Sequence, residues 1–386
     1  MNTHGFLRPT WPPDSVRQMR VVVPAEQRAG ERRVAAVPDT VKMLVKAGLE
    51  VVVESGAGRY AFFADDAYRV AGAEVIVGDV LADADAVLHV SPLTADQVSR
   101  LSSGAITLGF VAPTANADGI RALRDHGVSA FALELLPRIS RAQSMDALTS
   151  QALISGYQAA LTSAHRMPTF MPLLMTAAGT IPPAKVLVLG AGVAGLQAIA
   201  TAKRLGAVVE AYDVRPSSAD EVRSVGGKFI ELDLEALDAA GGYAREMSDD
   251  RAARQRELLT PYVAKSNAVI TTAAVPGRQA PLLVTRAMVE QMKPGAIVFD
   301  LAAESGGNVE GSVAGAEVTI GAATVLGAQD LPSQLPVDAS RLYARNVADL
   351  LLLMTADGVV APDWEDEIVA GCWVTRDGQI RDGITV

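Results

Sequence analysis

Short runs of apolar, β-favouring residues recur along this chain, separated by longer stretches whose apolar positions fall at helical spacing. Residues 20–23, 50–54, 74–77, 86–90, 105–110 and 129–133 are such runs, and 38–47 and 119–126 are helical segments between them. Pro38 stands near the start of its helix and Gly48 just past its end, the usual punctuation of a helix. Strands alternating with helices of this length predict parallel sheet built from βαβ units. A second series opens at Lys185 and continues through 268–273, 296–301 and 323–326. Between the two, 145–164 predicts a long linking helix that ends before Met167-Pro168, and 341–354 predicts a helix that crosses back. The pattern predicts an α/β chain of two Rossmann-like doubly wound domains with parallel sheets, joined by long helices across a cleft. The first domain is 20–145, completed by 341–386; the second is 146–340, including the linking helix. Residues 1–19, with Pro9, Pro12 and Pro13 and no apolar core run, read as a flexible N-terminal extension rather than a signal peptide. There is no short-period repeat and no low-complexity tract.

One junction carries specific chemistry. The apolar run 186–189 ends in Gly190-Ala191-Gly192-Val193-Ala194-Gly195, a G-x-G-x-x-G, and runs into the helical stretch 196–205. Eighteen residues past Gly195, a second apolar run ends in Asp213. Gly190 permits the tight turn, Gly192 lets backbone approach a pyrophosphate, and Gly195 lets helix and strand pack closely. The helix start then offers unpaired N–H groups and a partial positive charge to phosphates. Asp213 is placed to accept hydrogen bonds from adenosine ribose hydroxyls and to repel a 2′-phosphate, favouring NAD(H) over NADP(H). Strand, helix and acid together predict dinucleotide binding.

Composition narrows the partners. At 386 residues the chain suits two domains, and 49% hydrophobic with 20% charged residues describes a folded globular protein. A net charge of −10 argues against a nucleic-acid partner, which needs a basic surface. The single cysteine, Cys372, excludes an internal disulfide framework and suits a reducing, cytosolic environment. The four histidines show no metal-ligand spacing, so no metal is expected; His4 and His126 read as exposed, His165 as near a helix end, and His89 as a satisfied core residue. No run approaches the roughly 20 apolar residues of a membrane span. Residues 167–178 come nearest, but Pro168 and Pro172 interrupt them.

Several segments resemble one family. Residues 137–151 (PRISRAQSMDALTSQ) are similar to a loop in domain I of the alpha subunit of proton-translocating NAD(P) transhydrogenase. So are 175–183 (MTAAGTIPP), 192–207, 241–247 (GGYAREM), 275–281 (VPGRQAP), 292–295 (MKPG) and 374–378 (VTRDG). The resemblance runs from about residue 20 to residue 378 and is most specific over 138–151. It implies the NAD(H)-binding component of a Re/Si-specific enzyme in its split form, with the membrane domain on other chains. The expected reaction is direct hydride transfer from NADH to NADP⁺ held on a partner domain, coupled to proton translocation by further subunits. The expected assembly is a homodimer, peripheral on the cytoplasmic face of the plasma membrane through those subunits. Carried over residue by residue, Arg138, Gln143 and Asp146 orient the nicotinamide carboxamide and nearby ribose, with Gln143 reaching toward the partner nucleotide. Thr149 stands where the family has Ser. Val193, Ala194, Val214, Arg215, Ala274 and Pro276 join the nucleotide contacts. Tyr243 is expected on a lid hinged at Gly241-Gly242.

Plainer readings stand beside these. Arg138 and Asp146 also read as an ordinary surface ion pair, Tyr243 as a loop aromatic, and 248–257 as a solvated helix face. Two other functions compete. The alanine dehydrogenase family shares the layout and a start similar to residues 31–38 (ERRVAAVP), but it uses a substrate lysine and a catalytic histidine for the proton transfers of amino-acid oxidation. Here His89 to Ser91 fall where the lysine belongs and Gly109 where the histidine belongs. A non-catalytic NAD(H) sensor is the third possibility.

Overall fold

The computed structural model describes residues 18–234, 249–274 and 278–384. Six strands appear in the first third of the chain: β1 (Arg20–Val23), β2 (Glu50–Glu54), β3 (Glu74–Ile76), β4 (Ala86–Leu88), β5 (Ile106–Gly109) and β6 (Ser129–Ala132). A hairpin follows, β7 (Leu174–Thr176) with β8 (Gly179–Ile181). The next series is β9 (Lys185–Leu189), β10 (Val208–Tyr212), β11 (Lys228–Phe229), β12 (Ala268–Thr271), β13 (Ile297–Asp300), β14 (Glu317–Ile320) and β15 (Ala323–Gly327). The chain ends with the two-stranded pair β16 (Thr355–Ala356) and β17 (Val359–Val360), then β18 (Trp373–Arg376) and β19 (Gln379–Ile380). Two sheets result, in the orders β19-β18-β6-β5-β4-β1-β2-β3 and β11-β10-β9-β12-β13-β15-β14. Pairing is parallel except at the edges, where β18 meets β6 and β14 meets β15 antiparallel. In the first sheet the strand order reverses between β1 and β4, and in the second between β9 and β12. Such switch points open a crevice at the carboxyl ends of the strands.

The strands are apolar on both faces because both faces are covered. Val21 and Val23 enter one core and Val22 the opposite one; likewise Val186 and Val188 face one side of the second sheet, Leu187 and Leu189 the other. Two long helices tie the halves together. Ala147–Arg166 starts with Ala147 in the first core and buries Ala159 and Ala160 in the second. Pro336–Leu353 returns the chain and packs Tyr343, Val347, Leu350 and Leu351 into the first core. Fully burying each such aliphatic side chain contributes roughly 1.5–3 kcal/mol.

Most helices and strands fall within a few residues of the positions the sequence pattern predicts, but several pieces do not. The hairpin β7–β8 lies in a stretch whose pattern shows only proline interruptions; Met175 on it is 76% exposed, so no core-facing pattern marks it. Strand β14 is not anticipated by the pattern, because its alternate residues are exposed at the sheet edge. The short strands at the C-terminus also escape it, being too brief for a periodicity. Residues 1–17 of the expected N-terminal extension lie outside the described residues.

Candidate functional site

The glycine-rich turn follows β9 at the switch point of the second sheet. Gly190 takes φ +102°, and its N–H donates to the Tyr212 carbonyl at 2.8 Å, which closes the turn onto β10. Thr272, just past β12, donates its hydroxyl to the Gly190 carbonyl at 3.0 Å from the other side. A Cβ on Gly195 would lie 2.9 Å from the Gly190 carbonyl carbon, so helix Val193–Arg204 can start against the strand only if residue 195 has no side chain. Over Gly192, by contrast, a Cβ would meet nothing within 4 Å. Gly192 is the N-cap of that helix and no side chain caps it. The first-turn N–H groups of Val193, Ala194 and Gly195 therefore face open space with their helix dipole behind them, which suits an anion.

Asp213 follows β10. Its carboxylate accepts from Ala191 N–H in the turn at 2.7 Å and from Arg215 N–H at 2.9 Å. The Arg215 guanidinium grips the same carboxylate with Nε at 3.0 Å and Nη2 at 3.1 Å. The side chains are 8% exposed for Asp213 and 19% for Arg215. Val214 between them is half-buried against the second core. Ala274 is exposed beyond Thr272, beside the turn. Pro276, Tyr243 and the hinge glycines Gly241 and Gly242 lie outside the described residues.

The segment from Arg138 to Gln151 lies between β6 and the linking helix. Ala142 and Met145 are buried in the first core, while Arg138, Gln143 and Thr149 are exposed. Arg141 makes a two-point ion pair with Asp366 at 2.7 and 2.9 Å, and Asn346 Nδ2 donates to the Ser144 carbonyl at 2.8 Å. Gln143 is thus displayed from a loop pinned on both sides. Asp146 is the N-cap of the linking helix, accepting from Thr149 N–H at 2.9 Å and from the Thr149 hydroxyl at 2.6 Å. Threonine serves this contact as serine would.

The linking helix also explains how loop and turn are held in register. A Cβ on Gly156 would sit 2.8 Å from the carbonyl carbon and 2.9 Å from the Cα of Ala194, so this helix touches the first turn of Val193–Arg204 backbone to backbone. From Ala147 to Gly156 the helix rises about 14 Å, at ~1.5 Å per residue. The sequence pattern does not reveal this role of Gly156, because a glycine inside a helical stretch carries no sign of its partner. Nor does it reveal a buried brace behind the turn. Asn308 accepts from Ala273 N–H at 3.1 Å and donates to the carbonyls of Ala273 and Pro281, each at 2.8 Å. Asp300, fully buried, accepts from the N–H groups of Ala302 at 3.0 Å and Asn308 at 3.0 Å, and from the Thr271 hydroxyl at 3.1 Å. Gly306-Gly307-Asn308 is the only local hint of that tight turn.

At the first sheet's switch point the side chains are turned inward. His89 is 1% exposed; its Nδ1–H donates to the Ser91 carbonyl at 2.8 Å, and Nε2 is buried with no partner. The core histidine is therefore satisfied at one nitrogen only. Burial pushes its pKa down to about 4, so the ring is neutral. A Cβ on Gly109 would lie 2.5 Å from His89 Cε1, so the His89 ring fills the space a side chain at 109 would need. Glu26 accepts from Val90 N–H at 2.6 Å and Ser91 N–H at 3.0 Å, and burial raises its pKa to about 7. No lysine is present at 89–91 and no histidine at 109. Among the described residues no three His, Cys, Asp or Glu side chains gather as a metal-binding group, and no helix is long and apolar enough to cross a membrane.

Comparison with known proteins agrees with this geometry. The alanine dehydrogenase/PNT N-terminal domain matches residues 22–155 and the alanine dehydrogenase/PNT C-terminal domain residues 159–383. The chain is 45% identical over 374 residues to an NAD(P) transhydrogenase alpha subunit of Rhodospirillum rubrum, covering 94% of this chain and 97% of that one. It is 32% identical over 299 residues to an alanine dehydrogenase of Mycobacterium tuberculosis, covering 76% of this chain and 75% of the other. The structure of a transhydrogenase from Sinorhizobium meliloti matches with a TM-score of 0.86 at 42% identity, over 94% of this chain and 100% of that one. By domain content, identity and fold, this chain belongs to the alanine dehydrogenase/PNT family, among its NAD(P) transhydrogenase alpha subunits.

Proposed function

We propose that this chain is the NAD(H)-binding component of a proton-translocating transhydrogenase. The observation that carries the reading is the pairing of an open, uncapped helix start at Gly192 with a pinned polar loop at Gln143, spaced by one helix. When bound, NADH would supply a hydride to NADP⁺ held on a partner domain. The chain's own residues have positioning work to do. The N–H groups of Val193 to Gly195 hold the pyrophosphate, and Asp213 with Val214 and Arg215 holds the adenosine ribose. Ala274, Pro276 and Tyr243 close around the nucleotide. Arg138, Gln143 and Asp146, with Thr149 fixing Asp146, orient the nicotinamide end, because reacting carbons must come within about 3–3.5 Å with water excluded. No acid or base is needed for a carbon-to-carbon hydride shift, which fits a site with a neutral, enclosed His89.

We divide the chain into a first unit, 20–145 with 341–386, and a nucleotide unit, 146–340, with the cleft between them as the site. Proton coupling, the NADP(H) site and the membrane domain belong to separate subunits on the cytoplasmic face, and the chain acts as a homodimer. The test is to mix the chain with an NADP(H)-binding partner domain and follow hydride transfer by stopped flow. Activity absent from either component alone is expected. Robust turnover of the isolated chain with NAD⁺ and L-alanine, or with NADH, pyruvate and ammonium, would overturn the reading in favour of a free dehydrogenase.

A further inference from the structure

The acid after β10 is expected to reject a 2′-phosphate by its charge, but in this fold the charge is not bare. Four donors converge on the Asp213 carboxylate, two from the backbone N–H groups of Ala191 and Arg215 and two from the Arg215 guanidinium. The guanidinium contact is side-on, Nε to Oδ1 and Nη2 to Oδ2, the two-point geometry in which a carboxylate and a guanidinium neutralise each other best. Both groups are largely buried, so solvent does little to screen either one. Residue 215 is two positions beyond the carboxylate that follows the strand, close enough for its cation to take over a 2′-phosphate if the carboxylate were absent.

We propose that Arg215 sets the nucleotide discrimination of this site: by pairing with Asp213 it cancels most of the charge that would exclude a 2′-phosphate, and it is itself the group that would bind that phosphate once Asp213 is removed. The proposal rests on the dinucleotide site assigned above. It makes the preference for NAD(H) modest and dependent on geometry: the ribose hydroxyls fit the carboxylate, whereas a 2′-phosphate competes with it for one guanidinium. Removing Arg215 should therefore sharpen the preference, although it takes away a cation that sits beside the nucleotide.

The experiment measures dissociation constants of NADH and NADPH by calorimetry on the full chain and on R215A, R215Q, D213A and the D213A/R215A double variant. R215A and R215Q should widen the NADPH-to-NADH ratio about tenfold, as an unpaired carboxylate a few ångströms from a phosphate would. That widening should shrink as salt rises, while the wild-type ratio changes little. D213A should tighten NADPH binding about tenfold, and the double variant should lose most of that gain. A purely structural role for Arg215 would weaken both nucleotides alike and leave the ratio within twofold in both Arg215 variants, which overturns the proposal. Retention of the D213A gain in the double variant overturns it as well. If the unaltered chain binds neither nucleotide, the site assignment itself falls, an outcome distinct from an unchanged ratio in a chain that binds NADH.

Discussion

Gly156→Ala separates local preference from tertiary contact by the sign of its effect. Inside helix Ala147–Arg166, replacing glycine with alanine gains about 1 kcal/mol in helix propensity. The new Cβ would lie 2.8 and 2.9 Å from carbons of Ala194, whereas carbon–carbon contacts are most favourable at about 3.5–4.0 Å. The obstacle is backbone and cannot rotate away, so the two helices must part by roughly 0.7 Å. Overpacking of this kind costs about 1–3 kcal/mol, which outweighs the propensity gain. A net loss of about 1 kcal/mol is expected, read as a lower melting temperature in scanning calorimetry. Because Ala194 lies in the first turn behind Gly192, the same shift moves the N–H groups proposed to hold the pyrophosphate. Impairing one such charge-assisted hydrogen bond should weaken NADH binding about tenfold, or ~1.4 kcal/mol. A melting temperature that rises, with unchanged NADH affinity, would refute the backbone contact as the reason for glycine at this position.

Gln143→Asn should keep NADH affinity within a few fold but slow hydride transfer strongly, since misplacement of about 1 Å can cost ~10²-fold in rate; single-turnover mixing with a saturating partner domain reads this out. Asp146→Ala removes the N-cap of the linking helix and should cost about 1 kcal/mol, whereas Asp146→Asn keeps a capping oxygen and should cost only tenths. Equal melting temperatures for the two variants would count against the cap. The stability contributed by His89 is complete above its ordinary pKa of 6.5 and is lost as pH falls through its folded value of about 4, because the unfolded chain takes the proton first. Glu26 runs the other way: raised from 4.5 to about 7, it contributes below pH 4.5 and that contribution is lost as pH rises through 7. Melting curves from pH 4 to 8 should show a shallower acid decline in His89→Gln and a shallower decline toward neutral pH in Glu26→Gln.

What the sequence by itself determined follows from interactions between near neighbours. Alternating strand and helix periods yield the doubly wound class because a sheet covered on both faces needs continuous apolar runs such as 186–189. Turn, helix start and acid from Gly190 to Asp213 are readable because each role depends on residue type at a fixed spacing within one βαβ unit. The edge strands β14 and β18 and the hairpin β7–β8 were not readable, since an edge or exposed strand lacks the burial that imprints a pattern. The contacts that tune the site were also decided only in three dimensions. Nothing near Gly156 in the chain announces Ala194, which is 38 residues away. Nothing near Asp300 announces that its carboxylate braces the turn at 308. His89 and Gly109 lie 20 residues apart, yet a glycine at 109 is required because the imidazole of a neighbouring strand occupies its side-chain space. Asp213 and Arg215 are only two positions apart, but whether the guanidinium folds back onto the carboxylate depends on how the chain leaves β10, and that is a property of the sheet.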